Sequence, residues 1–474
     1  MPTAAPHVAI IGGGFSGTLT AIQLLRQTAG PIHIHLIERQ QSRLWRGVAY
    51  STEQSCHLLN VPAAGMSALP DDPLHFYRWA KAREASLVDP PWVEAVTEAA
   101  FLPRQCYGAY LQELFGHSLQ HAAEGQRVDI LCDEAVSLDT LPRGVRVHLR
   151  HNGPVDADCA VLALGNFPPA DPPMADRAFL DSPRYCQNPW TPGVQTALLE
   201  SRSCLIIGTG LTMLDLVMGL HQQRYQGIVH LISRRGLLPL PHATVAPFPR
   251  MSEPKAGSMR ALTRHIKNLV AQQARTGGDW RAVIDALRPF SSALWQQLPI
   301  EEKKRFLRHV RPYWEQHRHR TAPVIHQTLQ GMIAGGQILQ HRGRIVGYLD
   351  SGDGVAVAVR NMRGISHIKV DAIVNCTGAE CDFRKFRTPL TTDLLDKGLI
   401  QPDPLSFGLS ATPAGELMNR HGAASRLFTL GPPQKGTLWE TTAVPELRHQ
   451  ADRLAGTILR SLVVPAKGTL VAMS

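Results

Sequence analysis

Short β-branched runs that end on glycine recur along the chain. His7–Ile11 is one such run, and it reads as a buried parallel strand entering Gly12. Thr18–Gln27 follows, with Leu19, Ile22, Leu24 and Leu25 on one face, which predicts a helix. Ile32–Ile37 predicts the second strand, with Glu38 at its end. The same order returns later. Ser203–Ile207 is a strand, Gly208-Thr209-Gly210 a turn, Leu211–Leu220 a helix and Gly227–Ile232 the next strand.

Two further apolar strands, Cys159–Leu164 and Val370–Val374, run toward glycines Gly165 and Gly378. They flank the second unit, which predicts one domain inserted into another. The expected division is 1–170 plus 379–474 for the outer domain and 171–378 for the inner one. Within the latter, about 251–335 reads as helical and basic, with helices at Trp280–Leu287 and Glu301–Val310. Gly336–Val370, rich in valine, isoleucine and Gly-Asp turns, predicts a β-meander.

The first glycine turn, Gly12-x-Gly14-x-x-Gly17, has the spacing that binds a dinucleotide. Gly12 permits the tight turn, Gly14 lets the backbone approach a pyrophosphate, and Gly17 lets the helix pack on the strand. The helix N-terminus then offers free N–H groups to phosphate. Glu38 lies about 20 residues beyond Gly17, where an acid accepts from a ribose. The motif alone is weak, but here the strand, helix, second strand and acid all stand in order.

The second turn, Gly208-Thr-Gly210-Leu-Thr-Met213, lacks the third glycine. Its second strand ends in Ser233-Arg234-Arg235-Gly236, with no acid. Arginine pairs with a 2′-phosphate where a carboxylate repels it, so NADPH is expected rather than NADH. Two nicotinamides have nothing to exchange, whereas a held flavin and a diffusible nicotinamide pass hydride. The expected fold class is therefore α/β. It comprises two Rossmann-like dinucleotide-binding domains, the NAD(P)H domain inserted into the FAD domain, with a helical insertion. FAD belongs to the first site because the final segment returns there. Phe428–Gly431 reads as a strand into a glycine, and a helix is expected from near Thr441-Thr442 with hydroxyls suited to capping.

Composition changes the picture little. The chain has 474 residues and a net charge of +10. Its basic residues mix with acidic ones, and no nucleic-acid partner is expected. No apolar stretch approaches the ~20 residues of a membrane span, and the first apolar run is a strand of the fold, so a cytoplasmic location is expected. The 8 cysteines form no C-x-x-C pair, which argues against disulfide-reductase chemistry and a zinc site. No metal is expected. The cluster Arg308, His309, Arg311, His317, Arg318, His319 and Arg320 reads either as an anion site or as a solvated helix face. Asp215, inside the second helix, reads as structural.

Three longer motifs carry a resemblance. They are Cys56–Trp79, containing Cys-His-Leu-Leu-Asn-Val-Pro, then Phe101-Leu-Pro-Arg-Gln-Cys-Tyr-Gly-Ala-Tyr-Leu111, and Leu430–Arg448, containing Gly-Pro-Pro-Gln-Lys-Gly-Thr-Leu-Trp-Glu. With them the chain resembles a family of FAD/NAD(P)-binding oxidoreductases, itself similar to class B flavin monooxygenases. Asn60, Pro62 and Met66 match the order of an asparagine, proline and methionine in those relatives. The resemblance implies that Asn60 lies near flavin and nicotinamide, as the leading catalytic candidate. The competing reading is an Asn that caps the turn before Pro62. Candidate cofactor contacts are Gly12, Gly14, Phe15, Ser16, Gly17, Glu38, Arg39, Val61, Met66 and Gly165. To these are added Gly208, Gly210, Leu211, Thr212, Ser233, Arg234, Arg235, Gly378, Gly431, Thr437, Leu438 and Trp439.

The function that the resemblance implies is an NADPH-dependent flavin monooxygenase. It would form a flavin C4a-hydroperoxide and oxygenate a small-molecule nucleophile, such as an amine or sulfide. A reductase without oxygen insertion is the first alternative, and a flavin-loaded redox sensor the second. Substrate and oligomeric state are not legible in the residues.

Overall fold

The computed structural model describes residues 5–172, 177–249, 251–254 and 257–463. The strands, in chain order, begin with β1 (His7–Ile11), β2 (Ile32–Ile37) and β3 (Gln126–Leu131). Next come β4 (Ala135–Leu141), β5 (Gly144–Leu149), β6 (Val155–Ala157), β7 (Cys159–Leu162) and β8 (Tyr185–Cys186). The middle of the chain adds β9 (Ser203–Ile207), β10 (Ile228–Ser233), β11 (Ile338–Arg342), β12 (Arg344–Asp350) and β13 (Val355–Asn361). The last four are β14 (Gly364–Val370), β15 (Ala372–Asn375), β16 (Glu416–Met418) and β17 (Ala424–Thr429).

The fold is α/β with two parallel-sheet cores. The first sheet has the order β16-β17-β7-β1-β2-β3. Its β-branched strands are buried on both faces, as parallel sheets require, with Val8, Ile10, Ile34 and Val161 inaccessible to solvent. β17 pairs with β7 in parallel, Leu427 opposite Ala160, so the late segment completes a sheet begun by the early one. The second sheet has the order β11-β10-β9-β15-β8. All five of its strands fall between β7 and β17, so the second domain is inserted into the first.

Two antiparallel sheets, β4-β5-β6 and β12-β13-β14, accompany the parallel ones. The meander expected over Gly336–Val370 is thus shorter than the pattern suggests. Its first strand, β11, pairs in parallel with β10 and extends the second sheet. The basic stretch between β10 and β11 is helical. It runs through Met259–Arg275, Trp280–Leu287, Ser291–Gln297, Ile300–Arg305, Arg311–Arg318 and Pro323–Ala334. The expected helix over Glu301–Val310 is continuous in sequence, but its second half, Phe306–Val310, is a π-helical turn. The final helix covers Val444–Val463 and packs on the helix Phe15–Gln27. It begins past Thr441-Thr442, because short helical turns at Pro432–Gln434 and Lys435–Leu438 first reverse the chain.

Candidate functional site

The two glycine turns are built alike, bond for bond. At the first, the Gly12 amide donates to the Ile37 carbonyl at 2.8 Å. At the second, the Gly208 amide donates to the Ile232 carbonyl, also at 2.8 Å. Gly12 has φ +105° and Gly208 φ +104°, a region that only glycine occupies without strain. A Cβ on Gly12 would lie 2.3 Å from the Ala163 carbonyl oxygen, and one on Gly208 would lie 2.3 Å from that of Cys376. Each turn is therefore clamped by the neighbouring parallel strand's exit.

Gly14 caps the helix Phe15–Gln27 with extended backbone and no side-chain cap, which leaves the first-turn N–H groups free for an anion. A Cβ on Gly17 would meet the Gly12 carbonyl oxygen at 1.9 Å, so Gly17 serves close packing. The buried Glu38 carboxylate accepts from the Gly13 amide at 2.9 Å and the Gln40 amide at 3.0 Å. Its remaining lone pairs face a cleft of about 250 Å³. Gly12, Gly14, Phe15, Ser16, Glu38, Arg39 and Gly165 line this cleft from the early segment, and Thr388, Pro432, Thr442 and Leu447 from the late one.

Gly431, beside Pro432, has φ +79°, and a Cβ there would lie 3.0 Å from Ser16 Oγ. The Thr441 hydroxyl, next to the cleft-lining Thr442, is buried without a partner among the described residues. A cradle of glycines, a free helix terminus and an acid at the ribose distance fit a dinucleotide.

Other candidates for this cleft lie elsewhere. Val61 and Met66 are buried in the hydrophobic core rather than in the cleft lining. The Thr437 hydroxyl donates to the Ala411 carbonyl at 3.1 Å, and Leu438 is buried. Trp439, at φ +65°, turns its indole against Trp295 and Phe306 of the helical stretch, with ring centroids 4.9 Å and 4.7 Å away.

At the second turn, Gly210 caps the helix Leu211–Gln222 in the same uncapped way. A Cβ on Gly210 would meet nothing within 4 Å, so this loop opens on free space. Leu211 and Thr212 form the first turn. Met213 replaces the third glycine and is fully buried. Ser233 Oγ accepts from the Gly236 amide at 3.0 Å. The two arginines differ sharply. Arg234 is exposed, and among the described residues no carboxylate pairs with it. Arg235 is engaged: its guanidinium donates to the His309 and Arg308 carbonyls at 3.2 Å each and covers the Tyr313 ring at 4.9 Å. Gly378, at φ +97°, stands on open space after β15.

Asn60 sits where the two halves meet. Its carbonyl accepts from Nε2 of His242, in the segment after β10, at 3.0 Å. Burial, aided by Arg320, pulls the His242 imidazole down to about 4, so it is neutral at neutral pH. The turn at Pro62 is closed by backbone bonds, Gly65 to Pro62 at 2.8 Å and Ala63 to Ala100 at 2.9 Å. The Asn60 amide takes no part in that turn. Nearby, Arg104 and Asp215 form an ion pair at 2.8 Å, with 15% and 9% of their side chains exposed. His57 donates from Nε2 to the Asp215 carbonyl at 2.9 Å.

Residues 9–167 match the FAD-NAD(P)-binding family. No curated protein matches the chain in sequence. Among solved structures, the reduced ornithine hydroxylase of Pseudomonas aeruginosa is 17% identical, with a TM-score of 0.64 over 97% of this chain and 100% of that one. The L-lysine 6-monooxygenase of Pseudomonas syringae gives the same identity of 17%, TM-score of 0.64 and coverage of 97% and 100%. The ornithine N-hydroxylase of Kutzneria sp. 744, solved with reduced FAD, NADP+ and L-ornithine, is 15% identical, with a TM-score of 0.61 over 97% and 100%. The chain has the fold of the ornithine and lysine hydroxylases.

The basic cluster of the helical stretch is split: Arg308 and His309 are exposed, whereas its other arginines are engaged. Arg318 is buried between Glu446 at 3.3 Å and Glu440 at 3.6 Å, Arg320 pairs with Asp285, and Arg311 pairs with Glu315 at 2.7 Å. These side chains are not available to cofactor phosphate. What the sequence reading missed is a second cavity, of about 620 Å³, inside the same stretch. Its signal was present: Leu262, Ile266 and Val270 recur at helical spacing beside basic residues. No helix among the described residues is long and apolar enough to cross a membrane.

Proposed function

We propose that the chain is an FAD- and NADPH-using monooxygenase that oxygenates a nitrogen or sulfur of a small molecule. The observation that carries this is the pair of like glycine turns on two sheets of one chain, with an uncommitted asparagine amide at their seam. FAD bound in the first cleft supplies the two-electron and oxygen-transfer chemistry. The chain's own residues bind and orient. Gly14 and the helix behind it take the pyrophosphate, Glu38 a ribose, and Arg234 the 2′-phosphate. The Asn60 amide would hold the nicotinamide carboxamide or donate a hydrogen bond at the flavin. In the net reaction, substrate, oxygen, NADPH and a proton would give oxygenated substrate, NADP+ and water.

The proposed domain borders are 1–170 and 379–474 for the FAD domain and 171–378 for the NADPH domain. The likeness to an ornithine N-hydroxylase whose structure holds reduced FAD and NADP+ supports the cofactor pair. The proposed partners are a small molecule and oxygen, without nucleic acid. A cytoplasmic location accords with eight free cysteines.

The test begins with FAD-loaded protein and NADPH without oxygen, where the flavin should bleach. Oxygen and an amine or sulfide panel are then added. Formation of an N- or S-oxygenated product in step with NADPH use supports the proposal. Bleaching with only hydrogen peroxide released across the panel means a reductase, and no bleaching sinks both.

A further inference from the structure

The cavity in the helical stretch is large, apolar and rimmed by positive charge. Its volume of about 620 Å³ falls within the roughly 300–1,000 Å³ of small-molecule sites. Four tryptophans, Trp280, Trp295, Trp314 and Trp439, form much of its wall, and its described lining contains no carboxylate. The ionisable groups on it are Lys267, His309, Tyr313 and His317.

The helix Met259–Arg275 covers this cavity without filling it. Leu262, Ile266 and Val270 point one apolar stripe at the space but stay half-buried, and of 17 residues only Met259 is buried. Apolar surface left against an unfilled space is a standing loss of packing that a bound apolar body recovers. On the flank of the same helix, Arg260, Arg264 and Lys267 form a stripe. They line a hollow of about 470 Å³ that shares Met259, Thr263, Lys267, His309 and Val310 with the apolar cavity. Among the described residues, no carboxylate pairs with these three cations.

We infer that the cavity takes an amphipathic anion: an apolar chain in the tryptophan-walled space, with a carboxylate or phosphate head on Arg260, Arg264 and Lys267. An ammonium-tailed ligand is disfavoured, since no carboxylate lines the space and the nearby Glu302 is already held by Arg305 and the Met259 amide, so burying that charge is costly. The cavity also lies next to the nucleotide cleft. Trp439 lines the one and Thr442 the other, and three residues of chain span at most about 10 Å. Taking this ligand to be the substrate rests on the monooxygenase reading and requires an uncharged nitrogen or sulfur in its apolar part, whereas its binding does not.

Binding is read from tryptophan fluorescence of the full chain, without NADPH. Dodecanoate and dodecyl phosphate should each give a saturable change at one per chain, and dodecyltrimethylammonium should not. The surface double variant Arg264→Glu, Lys267→Glu should weaken both anions by about tenfold or more while leaving the thermal midpoint in place. Ile266→Asp should abolish the change. Equal response to the cation, or no loss in either variant, overturns the inference. So does co-sedimentation with phosphatidylglycerol vesicles without saturable dodecanoate binding, which would make the helix a membrane-surface element. Loss of NADPH oxidation with intact dodecanoate binding would sink the monooxygenase reading alone.

Discussion

The Arg104 guanidinium meets the Asp215 carboxylate at 2.8 Å across the seam between the two domains. Arg104 opens the helix Arg104–Gln120 beside the first sheet, and Asp215 lies in the helix that follows the second glycine turn. Both side chains are largely buried, so each depends on the other for charge compensation.

Arg104→Ala or Asp215→Ala alone should therefore destabilise the protein by about 3–5 kcal/mol, since each leaves a buried charge unpaired. The double variant Arg104→Met, Asp215→Leu should recover most of that loss. Denaturant midpoints of the three variants check this. Equal midpoints for the single and double variants would mean that the pair does not hold the seam.

Arg234 and Arg235 should separate in kinetics. Arg234 is exposed and pairs with no carboxylate among the described residues, so Arg234→Ala should raise the KM for NADPH by about tenfold or more and leave that for NADH unchanged, the loss of one charge-assisted contact of about 1.5–3 kcal/mol. Arg235→Ala should act on stability instead, through the Arg308 and His309 carbonyls it holds. Equal effects of Arg234→Ala on both coenzymes would remove the NADPH preference.

Gly208 and Gly210 make a second contrast. Gly208→Ala strains a positive φ and drives a Cβ into the Cys376 carbonyl, so it should destabilise the protein by more than about 1 kcal/mol. Gly210→Ala meets open space and should leave the ligand-free protein within about 1 kcal/mol of the parent. It should still weaken NADPH binding, because the methyl stands where the pyrophosphate approaches. Thermal midpoints with and without NADPH resolve the two effects.

The His242–Asn60 contact carries a pH signature. An unfolded histidine takes up a proton near 6.5, whereas His242 in the fold does so only near 4. Stability from this group is full above about pH 6.5 and is lost as the pH falls toward 4. His242→Gln, which keeps a donor toward the Asn60 carbonyl, should flatten the acid limb of the stability curve. The limb should not vanish, since burial lowers His35 and His230 to about 4 as well. An unchanged limb would mean that His242 titrates normally.

Sequence revealed what is local. A buried parallel strand is a run of β-branched residues, and a turn that needs φ near +105° needs glycine, so Gly12 and Gly208 are legible without any structure. Arg234 was legible as the end of a strand without an acid. What depends on distant partners was not. Arg318 and Arg320 look like an anion site until Glu440, Glu446 and Asp285 meet them from other segments. Trp439 follows Gly431 closely in the chain, yet its positive φ swings it toward Trp295 and Phe306. The helix expected at Thr441 starts at Val444 because the preceding turns are set by packing.

The pairing of β17 with β7 has a consequence for how the protein is made. Leu427 must find Ala160 after the whole of the second sheet has been synthesised. All five strands of that sheet, from β8 to β15, are available before β17 leaves the ribosome, so the inner domain is free to fold first. The nucleotide cleft of the first domain, which needs Pro432 and Thr442, closes last. Completion of that cleft thereby waits for β17 and the residues just after it, and a chain truncated before β17 would carry a finished inner sheet beside a cleft that never closes.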